Sequence, residues 1–342
     1  MGLLTKSAPN DLSLHNCAAD ISSSRSFIMG LSMLMVVFFH QHFVSRYLFL
    51  PFSAFGYWGV DFFLFLSGFG LSYSLHRKPA VGLGLWSFYG RRISRIMPTV
   101  LLVGWVQLLV NPDSSLLCAF GLNLWYIRLL LVMYIAVPFF FRFFSARERA
   151  KRWGLLTTVT VILSLVTIFS GLSTGTEKFI LWPLERTPVF MLGLLFFHAA
   201  QQGVKLNKRP IQILLSLSLP ITAAIALRFR LSDPGNLAAT MGVLSLLLLS
   251  WQIPFLCHLL HRLKSYTPAW LISAIEWCGI CSLEIYAVHE FIFAWLSKQT
   301  IGLGWLSLTL GLLLTFISAY LLKLFTSLIH RAIERPFCRK TR

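Results

Sequence analysis

A histidine and an aspartate in the first two apolar segments of the chain have the types and positions of a general base and its partner. His40 lies five residues before the end of the segment 26–45, and Asp61 lies about six residues into the segment 55–75. If these segments are antiparallel helices that cross a membrane, both side chains lie at similar depth, roughly 8–9 Å inside the same boundary. A carboxylate that orients an imidazole, and stabilises its protonated form, suits general-base catalysis. We therefore predict that His40 is a base oriented by Asp61.

Three closely spaced arginines form a second group that could do chemistry. Arg91, Arg92 and Arg95 stand at the opening of an apolar segment at 96–111. Residues three apart share a helix face, so Arg92 and Arg95 are neighbours there. Paired guanidinium groups bind phosphates through their planar fork, but arginines also anchor membrane proteins on the cytoplasmic side. The spacing alone leaves both interpretations open.

Further ionisable side chains stand inside or near the ends of apolar segments, where burial is costly and a functional role is the default hypothesis. They are Arg128, Arg186, His198, Glu284, His289 and Glu290. A histidine in such a place can also be a hydrogen-bonded structural group. We expect no metal site, because His42 stands two positions from His40 on another helix face and the six cysteines show no zinc or disulfide spacing.

The composition identifies the elements that must hold these side chains. Of the 342 residues, 56% are hydrophobic and 12% are charged, and the mean hydropathy is +0.73, whereas a soluble domain carries about 25% charged residues. This excludes a soluble globular enzyme, a disordered chain and a disulfide scaffold. A membrane-spanning helix needs about 20 mostly apolar residues. Ten segments qualify, at 26–45, 55–75, 96–111, 123–144, 154–171, 179–199, 211–228, 237–257, 280–297 and 303–325.

The sequence therefore predicts an all-α, polytopic integral membrane protein with about ten transmembrane helices. The stretch 262–279 is ambiguous and fits either a loop or an interfacial helix. We divide the chain into a cytoplasmic N-terminal segment at 1–25, a transmembrane domain at 26–326 and a basic cytoplasmic tail at 327–342.

The distribution of charge predicts the orientation. The formal net charge is +18, and 23 of the 30 lysines and arginines fall in alternate loops and in the two chain ends. Because basic residues accumulate on the cytoplasmic side, we expect both termini in the cytoplasm. The chain has no polar stretch long enough to form a basic nucleic-acid-binding domain, so we expect no nucleic-acid partner.

An ordered series of motifs resembles the acyltransferase-3 superfamily of integral membrane O-acyltransferases, from about residue 26 to residue 336. Met33–His40 is similar to the family's first-helix histidine motif, and Gly59–Phe69 is similar to its second-helix signature. Arg92 and Arg95, followed by Pro98, resemble its R-x-x-R element. Weaker features follow in the family's order: Trp125-Tyr126, Pro188–Gly193, Ser282–His289 with Tyr286, and Glu334-Arg335-Pro336. Each match alone is weak, but the ordered series is specific.

The resemblance implies transfer of an acyl group, usually acetyl, from cytoplasmic acyl-CoA to a hydroxyl of a glycan or related acceptor. It places the protein in the cell membrane, either a plasma membrane or a bacterial inner membrane. The family's first helix usually has an arginine eleven residues before the histidine, and this chain has Met29 there. Arg25 lies one turn further toward the cytoplasm on roughly the same face, so we expect Arg25 to take that catalytic role.

The expected reaction needs no protein nucleophile. His40 removes the proton from the acceptor hydroxyl, which attacks the acyl thioester. The carbonyl oxygen then needs donors or a cation, for which Tyr286, Ser282 and Arg186 are candidates. His289 is a further candidate catalytic residue.

We expect the donor, acetyl-CoA or another acyl-CoA, to be the only cofactor-like molecule. The residues expected to bind it are Arg91, Arg92, Arg95, Trp125, Tyr126, Arg186 and Ser282. Two rival hypotheses stay open: a transporter or flippase, or a polymerase, of a glycan or lipid-linked sugar, with the intramembrane charges along the substrate path. Neither rival would depend on acyl-CoA.

Overall fold

The computed structural model describes residues 11–44, 55–78, 83–111, 116–121, 123–144, 147–169, 178–231, 236–299 and 304–338. Within these ranges the fold is almost entirely helical. The helices are α1 (Leu14–Ser23), α2 (Arg25–His40), α3 (Trp58–Arg77), α4 (Leu83–Val110), α5 (Trp125–Phe143), α6 (Arg149–Phe169), α7 (Lys178–Gln201), α8 (Lys208–Leu231), α9 (Asn236–Lys264), α10 (Ala269–Ile280), α11 (Ser282–Gln299) and α12 (Gly304–Cys338). A short 3₁₀ helix at Leu116–Phe120 packs against α4.

Each of the ten predicted apolar segments coincides with one helix, from α2 to α9 and then α11 and α12. The helical class is therefore confirmed, while the ten crossings and the cytoplasmic termini stay predictions. Three described helices are long and apolar enough to cross a membrane: Gly84–Val110, Trp125–Phe143 and Gly304–His330. The number rises to five if two sharply bent pairs, α1 with α2 and α10 with α11, each count as one span.

Two helix boundaries that matter for the site differ from the prediction. Helix α2 ends at His40 and does not continue to residue 45, so His40 lies at a helix terminus. Helix α4 begins at Leu83 and not at residue 96, so its arginines lie within the helix. Charged residues lower the mean hydropathy, so a segment predicted from hydropathy begins only after them. The helix itself continues through these residues because arginine is a strong helix former.

Two bends divide stretches of helix. Helices α1 and α2 meet at an angle of 69°, and α10 and α11 meet at 80°. Helix α1 lies in the segment 1–25, for which no helix was predicted. It forms because its apolar residues recur at helical spacing on one face. Its buried residues are Leu14, Cys17, Ala18 and Ile21. Helix α10 shows that most of the ambiguous stretch 262–279 is helical.

A small sheet departs from the purely helical prediction. Strand β1 (Asp11–Ser13) pairs with strand β2 (Lys205–Asn207) in antiparallel register, with Leu12 opposite Leu206. Strands of three residues contain too few alternations to be recognised in the sequence.

The described residues fall into two compact units. The first is drawn from Met1–Ile28, Asp61–Ser74 and Phe144–Ile272, and the second from Met29–Val60, Leu75–Phe143 and Ser273–Arg342. In the first unit α1 and α9 pack against α7. In the second unit α11 and α12 pack against each other and against α4. Each unit holds its own group of predicted site residues.

Two glycines let α3 and α7 approach closely within the first unit. A Cβ on Gly68 would overlap the carbonyl oxygen of Phe190, and a Cβ on Gly193 would overlap that of Phe65. Small residues at helix interfaces allow such backbone contact in membrane proteins. Asp61 and Arg186 each stand seven residues, about two turns, before one of these glycines, so the contact brings them face to face.

Candidate active site

The second unit brings His40 and His289 together. His40 is the last residue of α2, and His289 lies within α11, where it is 1% exposed. His289 Nε2 is 3.4 Å from His40 Nδ1, and the two rings meet edge to face with their centroids 5.0 Å apart. His40 Nδ1 also lies 2.9 Å from the carbonyl oxygen of Val36. Because a carbonyl only accepts, neutral His40 carries its proton on Nδ1, and its Nε2 has the lone pair that a base needs.

Aromatic rings extend the histidine pair along α5 and α11. The ring of Tyr286 is 5.8 Å from that of His289 and 5.4 Å from that of Tyr126, which in turn is 6.3 Å from Trp125. Ser282, Tyr286 and His289 follow one another at four- and three-residue spacing, so they share a face of α11. The structure thus brings Tyr286, Tyr126 and Trp125 into one series of ring contacts that leads to the histidines.

In the first unit Asp61 forms a buried ion pair with Arg186. Arg186 Nη1 donates to Asp61 Oδ1 over 2.7 Å; the aspartate side chain is 0% exposed and the arginine side chain 14%. Asp61 Oδ2 has no hydrogen-bond partner among the described residues. The sequence predicts instead that Asp61 orients His40 and that Arg186 faces the donor. Since His40 and Asp61 belong to different units, their pairing stays a prediction.

Arg25, expected to replace the family arginine, begins α2 in the first unit. Its guanidinium lies directly against Gly70 of α3, where a Cβ would overlap it. Gly70 therefore leaves the space that the guanidinium occupies. The catalytic role of Arg25 stays a prediction.

The three arginines of α4 have different environments. The Arg92 guanidinium lies 5.5 Å from the ring centre of Phe88 and 5.6 Å from that of Tyr134. Such cation–π contacts hold a guanidinium in place. Arg91 and Arg95 are exposed, and residues four apart share a helix face. Arg91 and Arg95 therefore lie exposed on one face of α4, and Arg92 lies beside them against aromatic rings. The predicted binding of the donor by Arg91, Arg92 and Arg95 stays a prediction.

Further contacts between titratable side chains, from Glu284 and from Asp20, were not predicted from the sequence. Glu284, in the first turn of α11 and 2% exposed, accepts a hydrogen bond from Lys323 of α12 over 3.3 Å. Asp20 Oδ2 lies 3.1 Å from His258 Nδ1, and Asp20 Oδ1 lies 3.5 Å from His261 Nε2. The three-residue spacing of the two histidines was a signal for a shared partner. Among the described residues no three His, Cys, Asp or Glu side chains are arranged to hold a metal ion.

Long apolar helices with ionisable groups buried between them define a membrane protein, and the paired histidines define a candidate acid–base site. The family model described as an acyltransferase domain, that of the acyltransferase-3 family, matches residues 28–324. No curated protein and no solved structure matches the chain. Because the match covers most of the 342 residues, the chain belongs to the acyltransferase-3 family. It is a membrane acyltransferase.

Proposed function

We propose that the protein moves an acyl group, specifically acetyl, from cytoplasmic acyl-CoA to a hydroxyl of an extracytoplasmic or lipid-linked glycan in the cell membrane. The observation that supports this most is the 2.9 Å contact between His40 Nδ1 and the carbonyl oxygen of Val36. This contact leaves His40 Nε2 with a basic lone pair at the end of α2. In a chain of an acyltransferase family, such a nitrogen suits removal of a proton from an attacking hydroxyl.

In the proposed reaction His40 Nε2 takes the proton of the acceptor hydroxyl. The oxygen of that hydroxyl attacks the carbonyl carbon of the thioester. The new C–O bond forms, the C–S bond breaks, and CoA leaves as a thiolate that receives the proton from His40. The carbonyl oxygen becomes negative during the attack and needs a donor aimed at it. Tyr286 is the donor that we propose, because its ring contacts that of His289 beside the base.

On the donor side we propose that Arg91 and Arg95 bind the phosphates of CoA at the cytoplasmic mouth. Both are exposed on one face of α4, and charge-assisted hydrogen bonds from arginine to phosphate are strong and often bidentate. Arg92, held by two aromatic rings, adds a fixed positive charge beside them. Trp125 and Tyr126 are proposed to contact the acyl end, because their rings lead toward His289.

The proposal can be tested with the full-length protein in phospholipid liposomes, supplied with radiolabelled acetyl-CoA and a glycan extract from the source cells. We expect label in the glycan and free CoA thiol in equal amounts. The matched control is His42→Ala, because His42 is exposed and stands just beyond the end of α2; this variant should be as active as the unaltered protein. Movement of the glycan across the membrane, or its elongation, with no use of acetyl-CoA would contradict the proposal and favour a transporter or a polymerase.

A further inference from the structure

We infer that His289 is the positioning residue of His40: a neutral imidazole that holds the ring of the base and supports it when it is protonated. The inference rests on the proposed function of His40 as a base. It gives His289 the part that the sequence predicts for the carboxylate of Asp61.

The surroundings of His289 determine its own tautomer. Its Nδ1 lies 3.1 Å from the carbonyl oxygen of Ile285 and 2.9 Å from that of Tyr286. Both oxygens only accept, so Nδ1 carries the hydrogen. The ring is 1% exposed, and burial in an apolar segment disfavours a second proton. A neutral ring with hydrogen on Nδ1 has its remaining lone pair on Nε2, which is the atom that faces His40.

The hydrogen on His40 Nδ1 therefore has two acceptors. One is the carbonyl oxygen of Val36 at 2.9 Å, and the other is His289 Nε2 at 3.4 Å. The backbone contact belongs to the same helix, whereas the contact from α11 comes from outside it. Together they restrict rotation of the ring about its bond to Cβ. Because the hydrogen bonds of Nδ1 fix the ring, the lone pair on Nε2 of His40 points in one direction.

The same contact supports the protonated base. When Nε2 of His40 takes a proton, the positive charge spreads over both ring nitrogens, and Nδ1–H becomes a stronger donor to His289. In the serine-protease triad a carboxylate orients the imidazole and stabilises the imidazolium. Here a neutral acceptor has that position, and it avoids the cost of burying a charge within an apolar segment.

The first test reads the tautomers directly and does not depend on activity. Nuclear magnetic resonance of the full-length protein in detergent, labelled with ¹⁵N-histidine, distinguishes protonated from unprotonated ring nitrogens. His40→Gln and His289→Gln identify the signals by their loss. We expect hydrogen on Nδ1 and none on Nε2 for both residues in the unaltered protein. Hydrogen on Nε2 of His289 would overturn the inference, because that nitrogen would then have no lone pair for His40.

The second test separates positioning from binding. His289→Leu removes the acceptor, while His289→Gln can place a side-chain oxygen near the position of Nε2. With acetyl-CoA as donor and the glycan extract as acceptor, we expect His289→Leu to lower kcat about 100-fold, the scale of a misplaced catalytic group, with KM for acetyl-CoA unchanged. His289→Gln should recover about tenfold of that loss. The matched control is His198→Gln, a buried histidine of the first unit that stacks on Trp153, and it should leave kcat unchanged.

The two tests distinguish failure of the inference from failure of the proposed function. If the unaltered protein transfers no acyl group, the proposed function fails, and the tautomer signals still decide the inference. If the unaltered protein is active and His289→Leu keeps its kcat, His289 does not position His40, although His40 can still be the base. If His289→Leu does not fold, a kcat of His289→Gln below one hundredth of normal would also contradict the inference.

Discussion

Replacing Arg186 with methionine would remove the cation beside a fully buried carboxylate. Asp61 is 0% exposed, and its Oδ2 has no other hydrogen-bond partner among the described residues. Arg186→Met therefore leaves a buried charge without its ion-pair partner, which is one of the most destabilising changes in a protein interior. Asp61→Leu with Arg186→Met removes both charges and leaves apolar side chains in their place.

The magnitude follows from the geometry of the pair. Opposite charges 2.7 Å apart attract by about 6 kcal/mol at an effective dielectric constant of 20. Removing each ion from water costs several kcal/mol, so the intact pair adds little net stability. Loss of one partner costs about 3–5 kcal/mol, because the desolvation cost of the other remains. We expect that loss for Arg186→Met, and a free energy of unfolding within about 1 kcal/mol of normal for the double variant.

The assay is unfolding of the purified protein in mixed micelles, titrated with a denaturing detergent. The matched control is Arg152→Met, because Arg152 pairs with Glu148 at 3.9 Å with side chains 54% and 56% exposed. Exposed pairs of this kind contribute about 0.5 kcal/mol or less. A loss of stability for Arg186→Met no larger than that for Arg152→Met would contradict the expected cost of the unpaired buried carboxylate. A double variant as unstable as Arg186→Met alone would also contradict it.

Three further predictions address the donor site, the helix contact and the topology. Arg95→Ala should weaken acetyl-CoA binding about 10- to 100-fold, the loss of one hydrogen bond to a charged group, and Arg95→Lys should weaken it less. If calorimetry shows unchanged affinity, Arg95 does not bind the donor and serves only to anchor the helix at the cytoplasmic side. Gly68→Ala should lower the melting temperature because its Cβ meets the Phe190 carbonyl, whereas Gly90→Ala, with no atom within 4 Å of its Cβ, should keep or raise it; equal effects would contradict the close helix contact. Reporters fused after residues 115, 175 and 232 should lie outside the cytoplasm, and reporters fused after residues 85, 148 and 207 should lie in the cytoplasm. The inverse pattern would refute the predicted orientation.

The helices could be predicted because their apolar runs have the length of a span. Each of the ten predicted segments overlaps one described helix, since hydrophobic length is a local property of the sequence. The bends that separate α1 from α2 and α10 from α11 could not be predicted. The second bend lies at Cys281, two residues after Gly279. Glycine is common within transmembrane helices, so it does not by itself predict a bend.

The residues of the candidate site could be selected one by one from the sequence, but their contacts could not be predicted. His40, Asp61, Arg186 and His289 stood out because ionisable groups in apolar segments are rare. Their partners depend on which helix faces meet. Arg186 lies 125 residues from Asp61, and His289 lies 249 residues from His40, so spacing could not reveal either contact. Similar depth along two helices does not determine which side chains meet, so it could not establish the predicted contact of His40 with Asp61.

The central claim, that His40 is the base of an acyl transfer to a glycan, is tested most directly by mass spectrometry of surface glycans. Source cells that lack the protein are complemented with the unaltered chain, with His40→Ala or with His42→Ala, and each variant is confirmed in the membrane at equal amount. Loss of a positioned base lowers the rate about 100- to 10,000-fold. We therefore expect glycans with the acetyl mass increment from cells with the unaltered chain or His42→Ala, and glycans without it from His40→Ala cells. Full acetylation in the His40→Ala cells, or identical glycans with and without the protein, would contradict the account.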